Sequence, residues 1–273
     1  MKKAMNCFVL VFLAFILMIG GTACMKKPNE YSTSGSMFID KISKPVNGED
    51  FAEKRGDEFK LIDYEWTINN IPELKSEELR RANYALEEWV LTAKNDNVFV
   101  VNAIGFHTFR FDVADGYFIG EDLGEYGGSL TFHAGEKSYE LSDECNPVAM
   151  FVFENELYLL EGVSHLKIND GKIYKLETDG SQWKMTEVCT LKGAPDVILL
   201  DDNKAYVVTN TTISTIHKTQ DGLSVEVLVD AEFMSVLYPS SIVKKDDILY
   251  VGMRGGIFTF NLTSKETSWL VKK

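Results

Sequence analysis

The chain has 273 residues, of which 45% are hydrophobic and 25% are charged. This composition is typical of a globular protein and excludes a disordered, collagen-like or low-complexity chain. Asp and Glu outnumber Lys and Arg by 41 to 28, which gives a formal net charge of -13. A protein this acidic repels phosphate backbones, so we expect no nucleic-acid partner.

The N-terminus has the pattern of a secretory signal in residues 1–23. Lys2 and Lys3 precede an unbroken apolar run over residues 8–19, and small residues follow the run. The run is too short to cross a bilayer as a helix, because a membrane span needs about 20 apolar residues. We therefore expect that the segment directs export and is then removed.

The residues before Cys24 resemble the lipobox of bacterial lipoproteins. Thr22 and Ala23 suit its last two positions, whereas Gly21 stands where an aliphatic residue is usual. The resemblance implies that Cys24 becomes an acylated first residue, which anchors the protein in the lipid of the cell membrane at its extracytoplasmic face. The alternative is a secreted protein, because Gly21 and Ala23 also fit the small-x-small rule of ordinary signal peptidase.

Residues 24–50 would then comprise the lipidated cysteine and a flexible tether, since they are rich in Ser, Lys, Asn, Gly and Pro. Residues 51–273 are left for a single folded domain. Removal of residues 1–23 takes away two lysines and no acid, so the mature chain would carry a net charge of -15. The lipid would hold at the membrane a body that anionic lipid repels.

A short helix is predicted near the start of the domain. Ser76 can cap the segment EELRRANYALEEW that follows it. The apolar face of this helix is predicted to consist of Leu79, Ala82, Leu86 and Trp89. Upstream, FKLIDYEW alternates like a strand, so residues 51–87 supply either a degenerate repeat unit or one strand that completes another sheet.

Three segments of the chain align with one another without a gap. They begin at Pro147, Pro195 and Pro239, and each places two apolar runs on either side of a turn pair. The turn pairs are Glu154-Asn155, Asp202-Asn203 and Asp246-Asp247, and an aromatic residue follows each proline by eleven positions, at Tyr158, Tyr206 and Tyr250. The pattern predicts repeated hairpins with tight turns.

A fourth copy lies upstream in WVLTAKNDNVFVVNAIG, with Phe99 at the aromatic position and Glu88 in place of the proline. Later apolar residues predict a third strand in each unit, at HTFRFDV, HLKINDGKIYKL, ISTIHKT and GIFTFNL. Fourth strands are predicted at 183–190, 224–229 and 267–271. Residues 116–141 exceed the pattern, and we interpret them as an added hairpin in or beside the first unit.

The aromatic positions are 59, 48 and 44 residues apart, close to the roughly 40 to 50 residues of a four-stranded propeller blade. The chain therefore resembles a β-propeller in architecture, without the signature of a named propeller family. We predict an all-β, propeller-like ring of four or five blades with a short N-terminal helix. The repeat units would span 88–146, 147–194, 195–238 and 239–273.

Propellers present ligand sites where their loops meet near the axis, and the resemblance implies six residues for that position. They are Asn102, Glu161, Asn210 and Arg254, which follow the aromatic positions, and Asn146 and Tyr238, which lie in loops between units. The group is polar, mixed in charge and contains an aromatic ring. It suits a small molecule, a glycan or a protein as the ligand.

Cys145 and Cys189 could form a disulfide, which an extracytoplasmic location permits, or they are two separate thiols. The four histidines are scattered, and neither CxxC nor HExxH occurs, so we expect no metal and no cofactor. The acidic turns also lack a repeated calcium-binding loop.

No catalytic residue is predicted, because GxSxG is absent and Glu161 is the one acid that the repeat places centrally. We therefore favour a non-enzymatic binding protein. One alternative is an envelope enzyme acting on glycans or peptides, which would need a carboxylate pair at the axis. Another is a sensor or accessory subunit of a membrane complex, which would expose apolar residues around Trp183 and Trp269.

Overall fold

The computed structural model describes residues 53–54, 59–94, 97–104, 108–202 and 204–273. Cys24 and the predicted signal and tether lie outside these residues. The described residues belong to one compact unit that is mostly β-structure. None of the helices found there is long and apolar enough to reach across a bilayer.

The strands of this part of the chain form five antiparallel sheets, numbered I to V in chain order. Sheet I contains β4 (Trp89–Lys94) and β5 (Asn97–Ile104), and two short strands, β1 (Glu53–Lys54) and β2 (Phe59–Lys60), both pair with β5. Sheet II contains β6 (Thr108–Val113), β7 (Gly116–Asp122), β8 (Gly128–Ala134) and β9 (Lys137–Ser142) in that order.

The three later sheets repeat one meander. Sheet III contains β10 (Pro147–Phe153), β11 (Glu156–His165), β12 (Ile168–Thr178) and β13 (Trp183–Lys192). Sheet IV contains β14 (Pro195–Asp201), β15 (Lys204–Thr209), β16 (Thr212–Thr219) and β17 (Gly222–Asp230). Sheet V contains β18 (Ser241–Lys245), β19 (Ile248–Met253), β20 (Gly256–Asn261) and β21 (Thr267–Lys272), and β3 (Trp66–Asn69) adds to its outer edge.

The aligned tyrosines occupy equivalent places in the second strands of these three sheets. Tyr158 pairs with Phe151, Tyr206 with Leu199, and Tyr250 with Val243, in each case on the first strand of the same sheet. The turns before them use left-handed backbone at Glu154, Asn155, Asp202 and Asp246. Asn and Asp tolerate that conformation better than other side chains, which is why they mark these hairpins. The predicted third and fourth strands of sheets III to V are also confirmed.

The prediction for the first repeat unit is wrong in its third strand. HTFRFDV forms β6, which begins sheet II, and residues 116–141 supply strands of that sheet rather than an added hairpin. The physical reason is that β1 and β2 already pair with β5, on the edge that a third strand of this unit would otherwise occupy. The range 88–146 therefore contains two sheets, and the segment upstream of residue 87 completes sheets I and V without forming a unit of its own.

The predicted helix is shorter than its apolar pattern. Helix α1 spans Glu77–Asn83, and Ser76 caps it by accepting a hydrogen bond from the Leu79 N–H at 3.0 Å. Leu79 and Ala82 are buried, as predicted, but Leu86 is 81% exposed. Trp89 is buried in β4 instead of on the helix, because its backbone pairs with Asn102 in sheet I.

Neighbouring sheets pack face to face in a ring-like arrangement. Trp183 of sheet III contacts Phe118 and Phe132 of sheet II, with ring centroids 5.2 and 6.0 Å apart. One apolar cluster joins sheets IV and V with α1, and a second joins sheets V and I. Second strands such as β15 are buried on both faces, as expected for strands enclosed by neighbouring sheets.

Candidate functional site

The predicted site residues lie at one end of the second strands. Glu161 lies within β11, four residues before its end, while Asn210 and Arg254 directly follow β15 and β19. Asn102 lies in β5, and its side chain is outside the described part of the structure. Asn146 and Tyr238 lie in the loops that lead into sheets III and V.

A recurring backbone hydrogen bond ties each of these strand ends to the loop that enters the same sheet. Gly162 donates to the Asn146 carbonyl at 3.0 Å, Asn210 to Ala194 at 2.9 Å, and Arg254 to Leu237 at 2.8 Å. The strand ends are thus held in equivalent positions from sheet to sheet. We call the surface formed by these strand ends and the loops beside them the strand-end face.

Sequence reasoning missed the residue of sheet II that belongs to this face. Asp122 ends β7 and follows the buried Phe118 by four positions, just as Asn210 follows Tyr206. The signal was the same aromatic offset. It was overlooked because residues 116–141 were interpreted as a hairpin inside another unit.

Asn146 connects the strand ends of sheets II and III. Its buried side-chain amide donates to Asp122 Oδ1 at 2.8 Å, to the Gly124 carbonyl at 2.8 Å and to the Gly127 carbonyl at 2.9 Å. Its backbone N–H donates to Glu161 Oε2 at 3.2 Å. Burial raises the pKa of Glu161 above its usual range. Asn146 therefore positions two acids of the face.

Exposed apolar side chains surround this connection. The turn after β7 and the turn after β11 are joined by His165 Nδ1 and Glu125 Oε2, which are 2.6 Å apart. Four exposed residues on these turns form what we call the apolar rim: Leu123, Tyr126, Leu166 and Ile168. Tyr126 is 83% and Leu166 is 92% exposed. Large apolar side chains grouped in this way are typical of a contact surface.

The other predicted residues are held by contacts between sheets. Asn210 donates from Nδ2 to Ser164 Oγ of sheet III at 2.8 Å. Arg254 bonds Glu88 Oε1 at 2.7 Å and stacks over the ring of Tyr238 at 4.6 Å. Tyr238 is exposed, and Tyr84 and Leu86 lie exposed close in sequence to Glu88. Arg254 is therefore a positioning residue with an exposed aromatic ring beside it.

Asp196 is a second residue that sequence reasoning missed. It is the extra residue of a β-bulge at the start of β14, between Pro195 and Val197. Its Oδ2 atom is buried and has no hydrogen-bond partner among the described residues, although part of the residue remains exposed. Burial, and then the negative charge of Asp122, raise the pKa of Asp196 to about 8. The charge of Asp122 therefore acts on Asp196.

Two cysteines lie in the described part of the chain. Cys145 and Cys189 are both free thiols, so the structure does not contain the disulfide that the sequence left open. Burial raises the pKa of Cys145 to about 11, which makes it a poor nucleophile. In the described ranges, no group of three or more His, Cys, Asp or Glu side chains could hold a metal ion.

A cavity of about 830 Å³ lies between α1, the end of β3 and the C-terminus. None of the six predicted site residues lines it. Its walls carry charges of both signs, such as Arg81, Glu87 and Lys272, and Arg81 also pairs with Glu77 at 3.4 Å. We therefore place the candidate site at the strand-end face rather than in this cavity.

Comparison with known proteins finds distant matches among solved structures. No family model matches the chain, and no curated protein matches it. One matching solved structure is an exo-β-1,3-galactanase from Phanerochaete chrysosporium, crystallised with β-1,3-galactotriose, with 10% identity and a TM-score of 0.36. The similarity covers 68% of this chain and 53% of that one, so this chain spans about half the length of that structure.

Proposed function

We propose that the protein is a membrane-anchored extracytoplasmic lipoprotein whose five sheets close into a β-propeller that binds a ligand without chemical conversion. The observation that carries the proposal is the strand-end face, where exposed apolar side chains stand beside fixed polar ones. Ile168 and Leu166 in sheet III and Tyr126 in sheet II are its most informative members. A rigid β-scaffold that presents functional loops is a common basis for binding.

Three features support a closed propeller as the scaffold. The aligned tyrosines have the same partners in successive sheets. Sheet V packs on sheet I, which brings the C-terminal sheet back to the N-terminal one. The pairing of β3 with β21 also covers the outer edge of the last sheet. Closure of a sheet structure reduces the exposed edges that would otherwise pair with other chains.

The composition of the face supports a glycan or a protein as the ligand. Aromatic rings such as Tyr126 and Tyr238 supply large contact area for little loss of conformational entropy. Arg254, held against Glu88, fixes one of these rings. A sensor or accessory subunit is less well supported, because Trp183 and Trp269 are themselves buried, and on the outer strand β13 Val188 is only 37% exposed.

A double variant of the apolar rim tests the binding face. We expect Tyr126→Ala with Leu166→Ala to lower affinity at least ten-fold for the ligand found by screening the mature protein on glycan and peptide arrays. Both side chains are exposed, so the melting temperature should change little. The matched control is Ile68→Ala, which removes an equally exposed apolar residue from β3. Equal affinities for the rim variant and the wild type would contradict the proposal.

The anchor is tested separately at Cys24. We expect the wild-type protein to partition into the detergent phase of a Triton X-114 extraction, and Cys24→Ser to move it to the aqueous phase. Mass spectrometry of the N-terminal peptide would show the acyl groups. Wild-type protein released without acyl groups into the medium would establish the secreted alternative.

One observation favours a second candidate, an envelope enzyme acting on glycans. Glycoside hydrolysis needs one protonated and one ionised carboxyl group. Burial raises the pKa of Asp196 to about 8, and the negative charge of Asp122 adds to that rise, so these two acids are the candidates for such a pair. Incubation with envelope polysaccharides and detection of new reducing ends would test it. Turnover that disappears in Asp196→Asn would establish the enzyme, and the absence of turnover in the wild type would leave binding as the function.

A further inference from the structure

We propose that Asp196 and Asp122 together receive a cationic hydrogen-bond donor, an ammonium group, of the ligand bound at the strand-end face. This inference rests on the proposed binding function and names the chemical class of one part of the ligand. The argument starts from Asp196, whose Oδ2 is a buried acceptor without a partner in the described part of the chain.

The backbone holds the carboxyl group of Asp196 in a fixed place. The bulge between Pro195 and Val197 adds one residue to β14, and the neighbouring strand resumes its pairing at Val208. Bulges often aim a side chain out of the regular alternation of a strand. An acceptor left without a hydrogen bond in such a position loses the solvation it would have in water, at a cost that a bound donor can recover.

Asp122 supplies the second charge and is also held in place. Its Oδ1 accepts from the Asn146 side-chain amide and from the Gly124 N–H, both at 2.8 Å. Its negative charge acts on Asp196 across two sheets, since β7 belongs to sheet II and β14 to sheet IV. A second negative charge that acts on the same site adds to the attraction of a cation.

The surroundings favour an ammonium group over a metal ion. The described residues contain no cluster of three or more acidic, His or Cys side chains that could ligate a metal. A calcium ion takes six to eight oxygen ligands, whereas Asp122 Oδ1 already accepts two hydrogen bonds. An ammonium group needs two or three acceptors, and its single positive charge offsets the charge that Asp196 gains when it loses its proton.

The protonation state of Asp196 gives the inference a pH signature. Burial raises its pKa to about 8, and Asp122 is the charged group that contributes to that rise. Below pH 8 the Asp196 carboxyl group of the free protein therefore carries a proton, which a bound ammonium group would displace. Affinity should rise as the pH increases toward 8 and level off above it, with about one proton released per ligand at pH 6.5.

The experiment uses small probes on the mature protein. Chemical shifts of ¹⁵N-labelled protein are followed during titration with n-butylammonium and with Nα-acetyl-lysine methylamide, which represent a free amine and a protein side chain. We expect one or both to bind at least ten-fold more tightly than neutral 1-butanol. Asp196→Asn should abolish this preference and the pH dependence, whereas Asp221→Asn, which removes an exposed charge in the turn after β16, should change neither.

The outcomes separate this inference from the proposed function. An ammonium probe that binds no better than 1-butanol, or binds Asp196→Asn equally well, would overturn the inference. Calcium that binds in an Asp196-dependent way and displaces the probe would overturn it in favour of a metal site. The rim variant Tyr126→Ala with Leu166→Ala should still bind the ammonium probes, so its loss of the screened ligand reports on the binding face alone.

Discussion

Replacing Trp183 with alanine is expected to lower the free energy of unfolding by about 3–5 kcal/mol, the range for removing a large buried aromatic side chain. Trp183 is 5% exposed and packs between sheets II and III against Phe118 and Phe132. Its backbone N–H donates to the Tyr139 hydroxyl of sheet II at 2.8 Å, a bond that does not involve the indole side chain. Urea unfolding followed by circular dichroism would measure the change.

Trp183→Phe is the matched variant for this prediction. The Nε1 atom of Trp183 has no hydrogen-bond partner among the described residues, so phenylalanine loses packing area but no hydrogen bond. We expect a loss of about 1–2 kcal/mol, well below that of alanine. Similar losses for the two variants, or a loss below 1 kcal/mol for alanine, would show that sheets II and III do not depend on this contact.

The second large effect is expected at Asn146. Asn146→Ala leaves the Gly124 and Gly127 carbonyls and Asp122 Oδ1 without their shared donor, which should cost about 2–3 kcal/mol. Asn146→Asp should cost more at pH 7, because the introduced carboxylate faces Asp122 and two carbonyl oxygens. Chemical denaturation at several pH values would measure both changes.

The pH dependence identifies the cause of the Asn146→Asp loss. Repulsion raises the pKa of the introduced carboxyl group in the folded state, so the native protein binds more protons than the unfolded chain. The deficit relative to wild type should therefore be largest above that pKa and shrink as the pH falls toward 4. Asn70→Ala, at an exposed position, is the control and should stay within about 0.5 kcal/mol of wild type. A deficit independent of pH would contradict the electrostatic explanation.

Sheets III to V could be predicted because the residues that specify each hairpin lie close together in the sequence. Each proline, turn pair and tyrosine lies within one hairpin, and the left-handed backbone at Asp202 and Asp246 follows directly from residue type. Sheet II was not predicted as a separate sheet, because Phe118 follows Phe99 by only 19 residues, far fewer than separate the other aromatic positions. That spacing is short since β1 and β2, far upstream, cover the edge of β5 that a later strand would otherwise take.

The candidate site was predictable in position but not in its contacts. In the structure Asn210 and Arg254 directly follow β15 and β19, whereas Glu161 lies within β11. Their partners could not be predicted, since Glu88 bonds Arg254 across 166 residues of sequence. The buried position of the Asp196 carboxyl group could not be predicted either, because a bulge interrupts the alternation of buried and exposed residues along β14.

The pairing of β3 with β21 also has a consequence for the order in which the protein can fold. Asn69 pairs with Trp269, which emerges 200 residues later during synthesis. Strand β3 must therefore wait for residues 267–272, and contacts of such long range slow folding. Strand β3 remains without this partner until β21 has been synthesised. Completion of sheet V is thus expected to be a late event that a C-terminal truncation of seven residues would prevent.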